Sequence, residues 1–200
     1  MQAEAPVEGT AAWSAPLFAV NWDGSQVNSY SVLGDMTLTP LDADNLVFSW
    51  HLYGDAGSER FTRLGPVAPC VNLGSAQANL DGQWFAPAQS GYGMDVLALP
   101  GAQQDTFYLY DALGMPLWIA GSANAVAGAN SIPMYQLSGF CPLCSWVAAQ
   151  ITPVGTMTAS FTSATSGHYA TQINLAPPLS GSWNIDQPIV RLTGSATCSP

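Results

Sequence analysis

The sequence predicts an all-β protein whose C-terminal part is an antiparallel up-and-down meander of roughly eight strands closing into a barrel. Three observations carry that expectation. From Asp81 to Gly121 the chain reads DGQWFAPAQSGYGMDVLALPGAQQDTFYLYDALGMPLWIAG, four short apolar or alternating runs separated by turns rich in Gly and Pro. The same rhythm continues towards the C-terminus, and no stretch shows helical periodicity. A compact chain with this many short strands must close into a barrel or stack into a sandwich to hide its edges.

Composition sets the limits. The 200 residues are 48% hydrophobic, enough for a substantial core. Three Lys plus Arg stand against 13 Asp plus Glu, giving a net charge of −10 with only 8% charged residues. Phosphate backbones need clustered cations, and Arg60, Arg63 and Arg191 are the whole supply, so nucleic acid is not an expected partner. Anionic membrane surfaces are disfavoured for the same reason. With no Lys there is no Schiff-base or P-loop chemistry. No apolar run approaches the roughly 20 residues of a membrane-spanning helix, so membrane insertion is not expected. The opening MQAEAPVEGTAA has neither a basic region nor an apolar core, so no signal peptide is expected within it. Export is expected to have used a signal removed before Met1.

Taken in order, residues 1–12 are small, acidic and Pro-containing, the pattern of a flexible leader. Residues 13–69 form an N-terminal β-rich segment with strands expected at Pro16–Trp22, Val27–Gly34, Asp35–Leu41, Leu46–Gly54 and Glu59–Gly65. Asp23-Gly24, Gly34-Asp35, Asp42 to Asn45 and Gly54 to Ser58 separate them, and Asp23-Gly24 between apolar flanks is a good hairpin signal. Gly65 to Ser75 reads as a connection, and the barrel is assigned to residues 70–200 with the N-terminal segment packed against it. Its strands are expected at Gln83–Ala86, Tyr92–Leu99, Thr106–Tyr110, Leu117–Ala120, Ser131–Leu137, Trp146–Ile151, Gly155–Thr162, His168–Leu175 and Ser182–Leu192.

The four cysteines bear on compartment and closure. Cys70 precedes the first barrel strand and Cys198 follows the last, and those strands are neighbours in a closed meander. The favoured pairing is therefore Cys70 with Cys198, leaving Cys141 and Cys144 to close locally, although four cysteines allow three pairings. A redox role for Cys141-Pro142-Leu143-Cys144 lacks a βαβ context and a basic neighbour, and a zinc site lacks paired ligands near His51 or His168. Structural disulfides place the protein in an oxidising compartment: secreted, periplasmic or cell-surface.

Arg191 lies between Val190 and Leu192 and is the only cation after Arg63. A guanidinium there is most cheaply half-buried over an indole with its donors on strand-end carbonyls, so contact with Trp84 is expected. The alternative has Arg191 pointing to solvent from an edge strand.

Gly82-Gln83-Trp84-Phe85 with Pro87, then Ser90-Gly91-Tyr92-Gly93, Tyr110-Asp111, Gly114-Met115-Pro116-Leu117-Trp118 and Pro153-Val154-Gly155-Thr156 resemble a repeat of largely uncharacterised secreted bacterial β-proteins. Their pattern is roughly GxW[WFY]xPxxSGxG, YDxxGxPxW and PVGT, and the match covers about residues 78–198. The resemblance implies a fold and no activity. More loosely, Gly82, Trp84 and Arg191 are similar to the Gly-x-Trp and closing Arg of lipocalin and avidin-like barrels, which implies a calycin-like architecture.

No constellation names a reaction. Gly91-Tyr92-Gly93 is not a dinucleotide fingerprint, and no cofactor is expected. Asp42-Ala43-Asp44-Asn45 lacks the Gly and distal Glu of a calcium loop and reads as an Asx turn, so no metal site is expected. Asp95, Asp105 and Asp111 could supply paired carboxylates, with Asp95 prominent inside an apolar strand. His168 follows Ser166-Gly167 without an elbow motif. The aromatic residues Tyr108, Tyr110, Trp118 and Trp146 could line a barrel mouth or lumen and stack on a sugar ring or apolar ligand. The favoured function is a secreted binding module for a small molecule or glycan, without catalysis. The alternatives are an interaction protein of the cell exterior that docks on a partner or on itself, and, least supported, a hydrolase.

Overall fold

The structure, a computed structural model, describes residues 2–3, 12–23, 25–63, 70–74, 76–89, 91–124, 130–139, 145, 147–194 and 198. Strands and turns make up all of the described secondary structure, with no helix among the described residues. The chain divides into two compact units, Met1–Pro66 and Val67–Pro200.

The first unit is a five-stranded antiparallel sheet in chain order: β1 (Gln2–Ala3), β2 (Trp13–Trp22), β3 (Val27–Pro40), β4 (Asn45–Leu52) and β5 (Asp55–Thr62). Gln2 and Ala3, within the stretch read as a leader, pair with Phe18 and Leu17. The β2–β3 turn is an Asx turn, in which Asp23 Oδ1 accepts from the amides of Ser25 at 2.9 Å and Gln26 at 3.0 Å. One face of the sheet is apolar, with Ala15, Leu17 and Trp50 buried and Phe48 stacked between Trp50 and Phe61. Gly34-Asp35, read as a separator, is instead the interior of one long strand. The register slips there, so that Leu17 faces Gly34 while Phe18 faces Val32, leaving Leu33 as a bulge. A Cβ on Gly34 would sit 1.8 Å from the carbonyl oxygen of His51, so the glycine marks a close backbone approach rather than a turn.

The second unit opens with a two-stranded ladder, β6 (Val71–Asn72) and β7 (Gln77–Ala78). Eight strands follow: β8 (Gly82–Phe85), β9 (Gly93–Leu99), β10 (Ala102–Tyr110), β11 (Pro116–Ala123), β12 (Asn130–Ser138), β13 (Gln150–Phe161), β14 (Ser166–Asn174) and β15 (Ser182–Arg191). Each pairs antiparallel with the next, and β15 returns to β8 through Val190–Phe85 and Arg191–Trp84, closing an up-and-down barrel. The two strands expected at 146–151 and 155–162 are one strand, β13, running through Thr152-Pro153-Val154. Its partner residues Met134 and Tyr135 face Gly155 and Pro153, so Val154 is an inserted bulge residue. Gly155 has φ 143° and lies where a Cβ would be 1.9 Å from the Gln172 carbonyl oxygen.

Alternation along the strands fills the barrel. Trp84, Met94, Phe107, Ile119, Met134 and Tyr169 point inward and are at most 1% exposed. Cys70 and Cys198 are joined by a disulfide that spans 128 residues of sequence, with Cα atoms 5.9 Å apart. Cys141, Cys144 and Trp146 lie outside the described residues.

Candidate functional site

One end of the barrel is sealed where β8 meets β15. The Trp84 indole is buried, donates from Nε1 to the Leu80 carbonyl at 3.0 Å and packs 4.8 Å from the Phe161 ring. The Arg191 guanidinium lies over it, with Cζ 5.8 Å from the ring centroid. Nη1 donates to the Asn79 carbonyl at 2.6 Å and Nη2 to the Asp81 carbonyl. Gly82 is required between them. Its φ is 126°, and a Cβ would meet Thr193 Oγ1 at 2.2 Å and Arg191 Nη2 at 3.3 Å. Arg191→Met keeps the stem but strips donors from these strand-end carbonyls, an expected loss of about 2 to 3 kcal/mol read as a lower urea midpoint. Arg191→Lys should recover little of it, because a point charge cannot serve several carbonyls at once.

The other end is closed by aromatic rings. Trp183 donates from Nε1 to the Tyr110 carbonyl at 2.8 Å, and Tyr92 packs against it at 4.8 Å between ring centroids. Phe107 touches Tyr92, Trp183 and Tyr169 edge-on. Gln187 accepts from the Tyr92 hydroxyl at 3.0 Å and donates to Gln89 at 2.7 Å. Tyr110, expected to be available to a ligand, is only 7% exposed.

The open aromatic residues stand on the outer wall rather than at a mouth or in the lumen. On β10 the side chains of Gln103, Asp105, Phe107 and Leu109 are buried, which turns Tyr108 outward by the period of two. Trp118 is its direct partner on β11. Tyr108 is 45% exposed and Trp118 49%. In the β10–β11 turn beside them Leu113 and Met115 are exposed, as is Ile151 on β13. The strand position facing Tyr108 on β9 is Gly93, which carries no side chain. Two residues along β9 is Asp95, half-buried and without a cation. Burial first, and then the Asp81 carboxylate, push its pKa up, and Asp95 in turn pushes up the Tyr108 phenol, whose own burial is the larger cause.

The most deeply buried charge is Asp105, which the sequence names among three carboxylates but ranks behind Asp95. Asp105 has no exposed surface, and both of its carboxylate oxygens lie 2.9 Å from a single donor, Gln103 Nε2. Burial pushes its pKa up to about 7, opposed by the Gln103 hydrogen bond and reinforced by Asp95. The signal was the polar pair Gln103 and Asp105 in phase with Phe107 and Leu109, visible once the strand is extended back to Ala102.

The remaining acids and histidines are dispersed. Asp111 accepts from the turn amides of Leu113 at 2.8 Å and Met115 at 2.9 Å. His168 on β14, four places round the ring from β10, pairs at 2.8 Å with Asp186 on β15. Asp42 forms the expected Asx turn, accepting from the Asp44 amide at 2.9 Å, while Arg63 takes Asp44 at 3.1 Å. Among the described residues, no three His, Cys, Asp or Glu side chains group as metal ligands. No protein family, no curated protein and no solved structure matches this chain.

Proposed function

We propose that the protein is an exported binding module that recognises an uncharged ring, most simply a neutral glycan, on the outer wall of the barrel. The observation that carries this reading is the Tyr108–Trp118 pair, opposed across β10 and β11 and each about half exposed. Soluble proteins hide most large aromatics, and an exposed apolar cluster marks a binding surface. Two adjacent π-faces offer a ledge for the C–H face of a sugar. Asp95 beside Tyr108 supplies an acceptor for hydroxyl groups. Acidic sugars would meet the Asp95 carboxylate with no cation to offset it. The Cys70–Cys198 disulfide supports an oxidising, extracytoplasmic setting.

Titrating the disulfide-bonded protein with a panel of neutral and acidic oligosaccharides, followed by tryptophan fluorescence, tests the proposal. A neutral member should bind, and Tyr108→Ala and Trp118→Ala should each weaken it by roughly tenfold, the scale of one lost aromatic contact. Binding that survives both substitutions, or a panel with no binder, sinks the reading. Preference for a quaternary ammonium compound would instead assign the ledge to cation–π recognition.

A further inference from the structure

The β2–β3 hairpin is longer than the sheet that holds it. Among the described residues, β4 pairs with β3 only from Gly34 to Pro40, and β1 meets β2 only at Leu17 and Phe18. From Val27 to Leu33, β3 has a strand neighbour on one side alone among the described residues, apart from the Tyr53 amide that donates to the Leu33 carbonyl at 3.2 Å. The side chains there are open, with Val27 44%, Val32 66% and Tyr30 72% exposed. An unpaired edge is a template for another strand, and proteins usually guard it with charges, lysine above all, or with proline. This chain has no lysine, and neither a charge nor a proline lies between Asp23 and Asp35. The register against β2 slips at Leu33 and again at Asn28, so the irregularities fall near the two ends of the edge and Ser29 to Val32 between them is regular.

What fits this edge is indicated by its own sequence. Val27-Asn28-Ser29-Tyr30-Ser31-Val32-Leu33 is close to a palindrome about Tyr30. Turned on itself antiparallel, Ser29 meets Ser31, Asn28 meets Val32 and Val27 meets Leu33. Charge favours the same partner. A chain of net charge −10 repels its copies almost everywhere, but this window is neutral. In that register the flanking Asp23 and Asp35 fall at the level of Thr37 and Ser25, so no carboxylate opposes another. We propose that two copies of this chain pair antiparallel along Val27–Leu33, with the two-fold axis at Tyr30. The contact is isologous, so it closes at a dimer rather than growing into a fibre.

Sedimentation velocity of the whole chain from micromolar to millimolar concentration should show a reversible monomer–dimer equilibrium. Tyr30→Lys and Tyr30→Glu should each weaken it at least about tenfold, since like charges directly opposed across a strand pair repel. Mixing the two variants should restore a dimer, because only at a two-fold axis does position 30 face itself. Tyr30→Cys keeps the test independent of those variants: on air oxidation it should yield a covalent dimer whose peptide map links position 30 to itself. A strictly monomeric chain, a dimer indifferent to Tyr30→Lys, a mixture that does not recover, or growth beyond two copies overturns the proposal. These readouts do not involve Tyr108 or Trp118, so the glycan reading stands or falls separately.

Discussion

Asp105→Asn should raise the melting temperature near pH 8 by on the order of 10 °C and leave it almost unchanged near pH 3. In the unfolded chain the carboxyl titrates at its ordinary 3.8, whereas in the barrel, buried with a single amide donor, it is held up to about 7. Below the lower value both states carry the proton and Asp105 makes no demand on the fold. As pH rises between the two values the unfolded chain ionises and the folded one does not, so stability falls by about 1.4 kcal/mol per pH unit. Above pH 7 both are ionised and the loss, about 4 kcal/mol in all, is complete. Asparagine keeps the shape and an acceptor for Gln103 but cannot ionise, so the variant should recover most of that loss at alkaline pH. The check is a set of urea midpoints across pH for both proteins. The wild-type curve should descend between pH 4 and 7 and the variant curve should be flatter, and parallel curves would refute the assignment.

This buried acid also shows where the sequence was legible and where it was not. The strands were readable because turn residues fall at short intervals and inward positions alternate, as in Gly93–Leu99, where Met94, Val96 and Ala98 are buried. Barrel closure was readable because the first and last strands carry complementary ends, an indole in Trp84 and a guanidinium in Arg191, which lie face to face. Two interruptions were misjudged for one reason. Gly34 looks like a turn residue and Thr152-Pro153-Val154 like a break, yet Gly34 and Gly155 each sit where a neighbouring carbonyl comes within 2 Å of a notional Cβ, next to the bulged Leu33 and Val154 inside continuous strands. Which face an aromatic occupies depends on strand phase, and phase depends on where the strand begins. Placing the start of β10 at Thr106 instead of Ala102 left Asp105 outside the strand and Tyr108 open to a lumen that Phe107 and Leu109 in fact occupy. Sequence spacing had no means of distinguishing the half-buried Asp95 from the fully buried Asp105, since both lie on strands among apolar residues.

Replacing both Cys70 and Cys198 with serine should lower stability by about 5 kcal/mol, the chain-entropy value for a closed loop of this length. Where the loss is felt follows from the ladders. β14 and β15 pair along their whole length, from Ser166–Val190 to Asn174–Ser182, whereas β15 and β8 share only Val190–Phe85 and Arg191–Trp84. That seam has the fewest paired residues of any join in the ring, and the disulfide ties the segment before β8 to the segment after β15. Hydrogen exchange in the double variant should therefore quicken first at the amides of β8 and the end of β15, including the Leu192 amide that donates to the Gln83 carbonyl at 2.8 Å. Amides in the β13–β14 ladder should change least. The seam is also what Arg191 holds by its bonds to the Asn79 and Asp81 carbonyls, so the two devices restrain one opening. Arg191→Met should then cost less in the absence of the disulfide than in its presence, and a double-mutant cycle measures the difference. Strict additivity, or exchange that quickens evenly round the barrel, would mean that the seam does not open ahead of the rest and that the sulfur bridge acts only on the unfolded chain.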